Sequence, residues 1–266
     1  MENIISIENL SWHKGGRMIL KNINWHVAKG EQWALLGLNG SGKTSLLKMI
    51  LGYEWPNRGG KVTVFGQTYG QTYIPDIRKS IGWVSSSFDE RYLARPNDTV
   101  LEVVLSGKHA SIGLYEEVTE EDIEEAKKCL SILEIESFEN EPFRILSQGE
   151  KRKTMIARAL MAKPKLLILD EPCNGLDIYT REKLLSTIER LNKEKDGPTV
   201  IYVTHYIEEL VPSINSVLLL HNGQVVAQGE KKATLTEENL QKTFQLPIRI
   251  EWENERPWVK IHQKDF

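Results

Sequence analysis

The stretch GLNGSGKT, Gly37 to Thr44, constrains this chain more than any other, because it matches G-x-x-x-x-G-K-[S/T] in full. It lies between an apolar run, Trp33 to Gly37, and a helical pattern, Thr44 to Leu51, the strand–loop–helix context that gives the pattern its meaning. Gly37, Gly40 and Gly42 let the backbone turn tightly and aim its N–H groups at phosphate oxygens, while the following helix adds the positive end of its dipole. Leu38, Asn39, Ser41 and Ser45 complete the expected cradle. Lys43 would reach the β- and γ-phosphates of ATP, and Thr44 would offer its hydroxyl to Mg²⁺. A plain glycine-rich turn would not require the Lys-Thr ending.

Such a loop needs an α/β frame, and the rest of the chain supplies one. Short apolar runs at Ile81 to Ser85, Leu166 to Asp170, Val200 to Thr204 and Ser216 to Leu220 read as buried strands. Helical patterns at Lys151 to Met161 and Thr180 to Lys193 fall between them, which predicts a mostly parallel sheet covered by helices. Alternating pieces in the first hundred residues, NIISIENLSW, NINWHV and KVTVFGQ, predict antiparallel strands. From Asp98 to Leu160 only helical signals occur, with PNDT and Thr119 placed to cap helix starts. An all-helical insertion is therefore expected over about 90–160, within a domain spanning 1–235, followed by a Pro- and Trp-bearing tail, 236–266.

Composition narrows the function classes. With 34 Lys and Arg against 37 Asp and Glu, the net charge of -3 gives no whole-chain reason to expect a nucleic-acid partner. The two cysteines, Cys129 and Cys173, are far apart and outside any Cys/His cluster, which fits a reducing cytosol and argues against a disulfide framework or a zinc site. No apolar stretch approaches the roughly 18 residues needed to cross a bilayer, and the first residues lack a basic segment followed by an apolar run. The expectation is a cytoplasmic protein, soluble by itself, that serves a membrane only by docking on a partner.

Three further segments complete the chemistry. KLLILDEP ends an apolar strand in Asp170 and Glu171, at the strand end where an open α/β sheet places its ligand chemistry. Asp170 would hold Mg²⁺ through water. Glu171, expected to point the other way along the pleat, would polarise an attacking water, unless both acids are simply solvated turn charges. His205 follows the next strand, in VIYVTHY, where an imidazole can sense a γ-phosphate; a lone histidine is otherwise more often a satisfied polar residue. In LSQGEKRK, Ser147 and Glu150 form S-x-x-E, a capping box that opens a helix, and a capped helix start behind a glycine is also an anion site.

Taken together, the ordered set GLNGSGKT, LSQGE, LLILDEP, NGLD and His205 resembles the ATP-binding subunits of ABC transporters, over about Met1 to Glu230. NGQVVAQG, Asn222 to Gly229, resembles the closing hairpin of that family. The resemblance implies a P-loop NTPase with a RecA-like, mostly parallel sheet, and a head-to-tail homodimer with ATP sandwiched between subunits. Ser147, Gln148 and Gly149 of one chain would cover the nucleotide bound by the other, and Asp177 would link the two sites. It implies separate permease subunits in the membrane, whose transport the ATPase powers. Departures are also visible. Gln148 and Glu150 replace the second glycine and the glutamine of the usual signature, and Ser86 stands where the family's metal-touching glutamine is usual. Serine could hold the same Mg²⁺ through a water. The adenine-stacking aromatic falls on Trp12, although Lys14 fits the alignment almost as well, and the alternative for Trp12 is a plain core residue.

A soluble ABC ATPase that drives assembly or remodelling without a permease is the competing class, kept open by Ser86 and by the GEKRK that follows the signature serine and glutamine. Ser86→Gln is expected to leave ATPase activity, measured as phosphate release, within about tenfold, or ~1.4 kcal/mol of barrier. A much larger loss would make Ser86 integral to the chemistry.

Overall fold

The computed structural model describes residues 2–85, 95, 97–109, 111–194 and 197–261. Along the chain run strands β1 (Asn3–Lys14), β2 (Arg17–Ala28) and β3 (Gln32–Leu36), then α1 (Lys43–Ile50), β4 (Lys61–Val64), β5 (Gln67–Thr68), α2 (Ile74–Arg78) and β6 (Ile81–Ser85). Three helices follow, α3 (Val100–Leu105), α4 (Glu120–Ile132) and α5 (Gln148–Met161), and then β7 (Leu166–Asp170) and α6 (Ile178–Asn192). Next come β8 (Thr199–Thr204), β9 (Ser216–His221), β10 (Gln224–Glu230), α7 (Lys231–Thr234), α8 (Glu237–Phe244), β11 (Ile248–Glu253) and β12 (Arg256–Ile261). The chain divides into two units, Met1–Arg78 with Thr199–Phe266, and Lys79–Pro198.

In the first unit β3 pairs in parallel with both β8 and β9, and β10 returns antiparallel along β9. All five residues of β3 and all six of β8 are buried, and Trp33–Leu36 and Val200–Val203 within them read as continuous apolar runs rather than alternating ones. Beside them β1 pairs antiparallel with β2 and β4, as the alternating N-terminal pieces predict. Here the inward positions carry the core, with Ile5, Ile7, Leu10, Ile23 and Trp25 fully buried. Trp25 meets Trp33 edge-on with ring centroids 5.6 Å apart, a geometry that places one ring's positive edge on the other's negative face. The described residues of the segment 236–266, read as a tail, fold into α8 and the β11–β12 hairpin.

In the second unit β6 and β7 pair in parallel from Ile81↔Leu166 to Ser85↔Asp170. The helices here begin where capping chemistry predicts. Thr99 with Glu102, Thr119 with Asp122 and Ser147 with Glu150 each form a complete reciprocal box, which satisfies two otherwise orphaned N–H donors per helix. Both cysteines are buried. Burial pushes the Cys129 thiol up to about 11, so it is inert packing rather than a nucleophile.

The Trp25 indole N–H has no hydrogen-bond partner, so part of what its burial contributes is offset by an unsatisfied donor. Trp25→Phe is therefore expected to cost under about 1.5 kcal/mol, against about 3–5 kcal/mol for Trp25→Ala. Urea unfolding of the two variants measures the difference, and equal losses would contradict it.

Candidate functional site

In the first unit the register of the parallel strands sets the site. Leu36 pairs with Thr204, so Gly37 and His205 leave neighbouring strands at the same carboxyl edge, where open α/β sheets hold ligands. The loop after Gly37 is shaped by close neighbours. A Cβ on Gly37 would collide with the Leu220 carbonyl oxygen and come 2.6 Å from Ser41 Oγ, and one on Gly42, whose φ is +109°, would come 2.9 Å from Leu20. A buttress comes from the turn between β9 and β10. Asn222 and Gly223 both have positive φ, as a two-residue hairpin turn requires, and Gly223 N–H donates to the Ser41 carbonyl at 2.8 Å while its own carbonyl accepts from Lys21 N–H.

The geometry of the loop suits a triphosphate. Helix α1 starts at Gly42 with no side-chain cap and no acidic residue in its first turn. Ser41 is 3% exposed and its hydroxyl has no partner. Lys43, also buried, donates from Nζ to the carbonyls of Gly37 at 2.8 Å and Leu38 at 3.2 Å, which curls the cation over the loop where an anion would sit. Leu38, Asn39, Gly40 and Thr44 are exposed and Ser45 half-buried, leaving the cradle open to a ligand. Trp12 takes the core position that is the alternative to a stacking role. It lies in the β1–β2 pairing opposite Leu20, 8% exposed, with Lys14 Nζ 5.9 Å from its ring centre. A base-stacking platform needs a free face, and this ring shows almost none.

His205 is half-buried, its ring 4.0 Å from that of Tyr206. Around it Thr204 Oγ1 accepts from Tyr206 N–H at 3.0 Å and donates to Glu209 Oε2 at 2.7 Å. Tyr202 OH donates to the same carboxylate oxygen at 3.0 Å.

In the second unit Asp170 closes β7 opposite Ser85 of β6. Ser86, the third expected metal ligand, lies outside the described residues. Glu171 corrects one expectation. The strand ends at Asp170 and Glu171 has φ +50°, so its direction comes from a left-handed turn, closed by Asn174 N–H donating to the Glu171 carbonyl at 3.2 Å, and not from pleat alternation. A left-handed Glu costs about 1–3 kcal/mol and persists only where the surroundings enforce it.

The capping box at α5 leaves Ser147 and Gln148 exposed. Ser147 Oγ donates to Glu150 Oε2 at 2.7 Å, so its hydroxyl proton is already engaged. Gly149 is buried against Thr180, whose Oγ1 donates to Asp177 Oδ2 at 2.7 Å. Asp177 caps α6 by accepting from Thr180 N–H at 3.0 Å. These bonds from the Thr180 backbone and then its hydroxyl hold the Asp177 carboxyl below its ordinary range. Thr180 thus ties the signature-like helix start to the Asp177 loop, a link with no mark in the sequence. Among the described residues no group of three or more His, Cys, Asp or Glu could hold a metal ion, so a metal here would rely on single ligands and on phosphate oxygens.

Fold and loop define a P-loop NTPase with a mostly parallel sheet. The chain belongs to the ABC transporter family: the family model described as ABC transporter matches residues 20–174. It is 42% identical over 257 residues, 96% of each chain, to the uncharacterized ABC transporter ATP-binding protein YlmA of Bacillus subtilis (strain 168). It is 31% identical over 249 residues, 93% of this chain and 90% of the other, to the molybdate import ATP-binding protein MolC of Haemophilus influenzae (strain ATCC 51907 / DSM 11121 / KW20 / Rd). A dimeric bacterial ABC transporter cassette of known structure superposes with a TM-score of 0.70 at 30% identity, covering 85% of this chain and 98% of that one. The chain is thus an ATP-binding subunit of this family. No described helix is long and apolar enough to cross a membrane.

A Cβ at Gly149 would collide with Thr180 Cγ2. Gly149→Ala is expected to destabilise the protein by about 1–3 kcal/mol through overpacking. Adding Thr180→Ser, which removes the methyl but keeps the hydroxyl on Asp177, should recover most of that loss in urea unfolding; no recovery would reject the contact.

Proposed function

We propose that the chain hydrolyses ATP as a head-to-tail homodimer on the cytoplasmic face of a membrane and powers separate permease subunits. The observation that carries the reading is the start of α1, uncapped by any side chain, with Lys43 buried over it and Gly37 leaving the sheet in register with His205. Residues 37–45 and Lys43 would hold the phosphates, and His205 would contact the γ-phosphate from the adjoining strand. Thr44 and Asp170 would hold Mg²⁺, whose charge, when bound, offsets that of the β- and γ-oxygens. Glu171 would act as general base toward the attacking water. The exposed Ser147 and Gln148, with Gly149, would cover the nucleotide of the second subunit, and Asp177 would connect the two sites.

Support for the dimer comes from the dimeric cassette of similar fold and from the exposure of both Ser147 and Gln148 at a helix N-terminus. Support for the permease comes from the names of the relatives, which are ATP-binding proteins of transporters. On this reading 1–235 is the ABC domain and 236–266 an appended segment.

Glu171→Gln removes the base but not the phosphate contacts. Turnover should fall at least about 100-fold while ATP affinity is kept, and with ATP and Mg²⁺ the variant should elute as a dimer on size exclusion. Unchanged phosphate release would refute Glu171 as the base.

A further inference from the structure

The C-terminal hairpin, β11–β12, reaches the loop that carries His205. Arg256, the first residue of β12, donates from Nε to the Glu208 carbonyl at 2.6 Å, and its guanidinium lies 4.8 Å from the centre of the Trp258 ring. Glu208 sits in the short turn Ile207–Glu209 directly after His205 and Tyr206. Its neighbour Glu209, 2% exposed, is the carboxylate that Thr204 and Tyr202 hold. Thr204 Oγ1 in turn accepts from Tyr206 N–H. The bonds therefore run without a break from Trp258 through Arg256, the turn, Glu209 and Thr204 to the residues on either side of His205.

The far side of the same segment is also tied. Lys231, 4% exposed, donates from Nζ to the carbonyls of Val211 and Pro212, each at 3.2 Å. Lys232 pairs with Glu255 in the hairpin turn at 3.3 Å. The segment after His205 is thus held from β8, from α7 and from β12, and the contact from β12 is made by a residue outside the stretch that the family model matches, 20–174.

We infer that Arg256 is a positioning residue for His205, so that the C-terminal hairpin sets the rate of ATP hydrolysis without touching nucleotide. Its physical basis is the geometric demand of catalysis. A group that must meet the γ-phosphate within a fraction of an ångström loses rate when the turn holding it relaxes, whereas affinity, set mainly at the phosphate loop, changes little. The inference rests on the ATPase reading above, and the test separates the two.

Phosphate release and ATP affinity are measured for the full chain, for Arg256→Ala and Arg256→Lys, and for each of these combined with His205→Ala. Arg256→Ala is expected to lower kcat about tenfold with KM for ATP within about twofold, and Arg256→Lys, which keeps one donor for the Glu208 carbonyl, to restore most of it. In the His205→Ala background neither substitution should change the residual rate further, because residues acting through one group are not additive. If Arg256→Ala does not fold, Arg256→Lys carries the same comparison, with a smaller loss confined to the His205 background. An active parent whose kcat is indifferent to the Arg256 substitutions, or equal losses with and without His205, overturns the inference alone. A parent with no ATP hydrolysis overturns the ATPase reading and this inference with it.

Discussion

The start of α1, which no side chain caps, is the constraint on which the rest of the structure turns. An α-helix leaves its first four N–H groups without intrahelical partners, and this chain closes other helix starts with side chains: Thr99, Thr119, Ser147, Asp177 and Thr236. At α1 it places Gly42 instead. A helix start without a side-chain cap leaves its N–H groups and the positive end of its dipole available to an anion. Its surroundings are arranged accordingly. The Asn222-Gly223 turn braces Ser41 from behind, Gly37 threads past the Leu220 carbonyl, and Lys43 supplies the charge.

Rigidity around the other candidate site residues comes from short-range polar ties and close backbone contacts. Gly149 fits only because it lacks a side chain where Thr180 stands, and Thr180 is fixed by two hydrogen bonds to Asp177. Two helix starts are thereby locked to each other, so neither can shift without disturbing the cap of its neighbour. Glu171 shows the same economy in the backbone. Its left-handed backbone, φ +50°, turns the chain out of β7, and the same conformation occurs at the exposed Glu134 and Glu255.

Most of the frame could be read in the residues because the buried strands are short and uniformly apolar. The run Ile81–Ser85 and the run Leu166–Asp170 coincide with β6 and β7, and the capping residues fall at the helix starts. What stayed hidden depends on tertiary placement. Trp12 shares the alternation of Leu10, and only its pairing with β2 favours the core over a base-stacking role. Glu171 looks like a strand residue because Asp170 is one, and only the turn to Asn174 shows otherwise. The contact of Gly149 with Thr180 spans 31 residues and leaves no local pattern. The C-terminal segment, rich in charge and interrupted by Pro247 and Pro257, carries little helix or strand signal, yet it folds as α8 and a hairpin because β9 and the turn after His205 give it something to lie on.

On the proposed reading, the exposure of Ser147 and Gln148 has a thermodynamic consequence. A ligand can favour one state only by as much as it binds that state better than the other. If a nucleotide on one subunit also contacts the helix start of α5 on a second, each nucleotide strengthens association, and by linkage association strengthens nucleotide binding. Ser147 enters this balance with its hydroxyl already bonded to Glu150. A phosphate at that helix start would have to compete with the Glu150 carboxylate, which occupies two of the same donors, the Ser147 hydroxyl and backbone N–H. On that reading the carboxylate would weaken the closed state relative to a neutral side chain at the same position. A milder closure would suit a dimer that reopens after each hydrolysis, because the free energy available to drive reopening would have a smaller attraction to overcome.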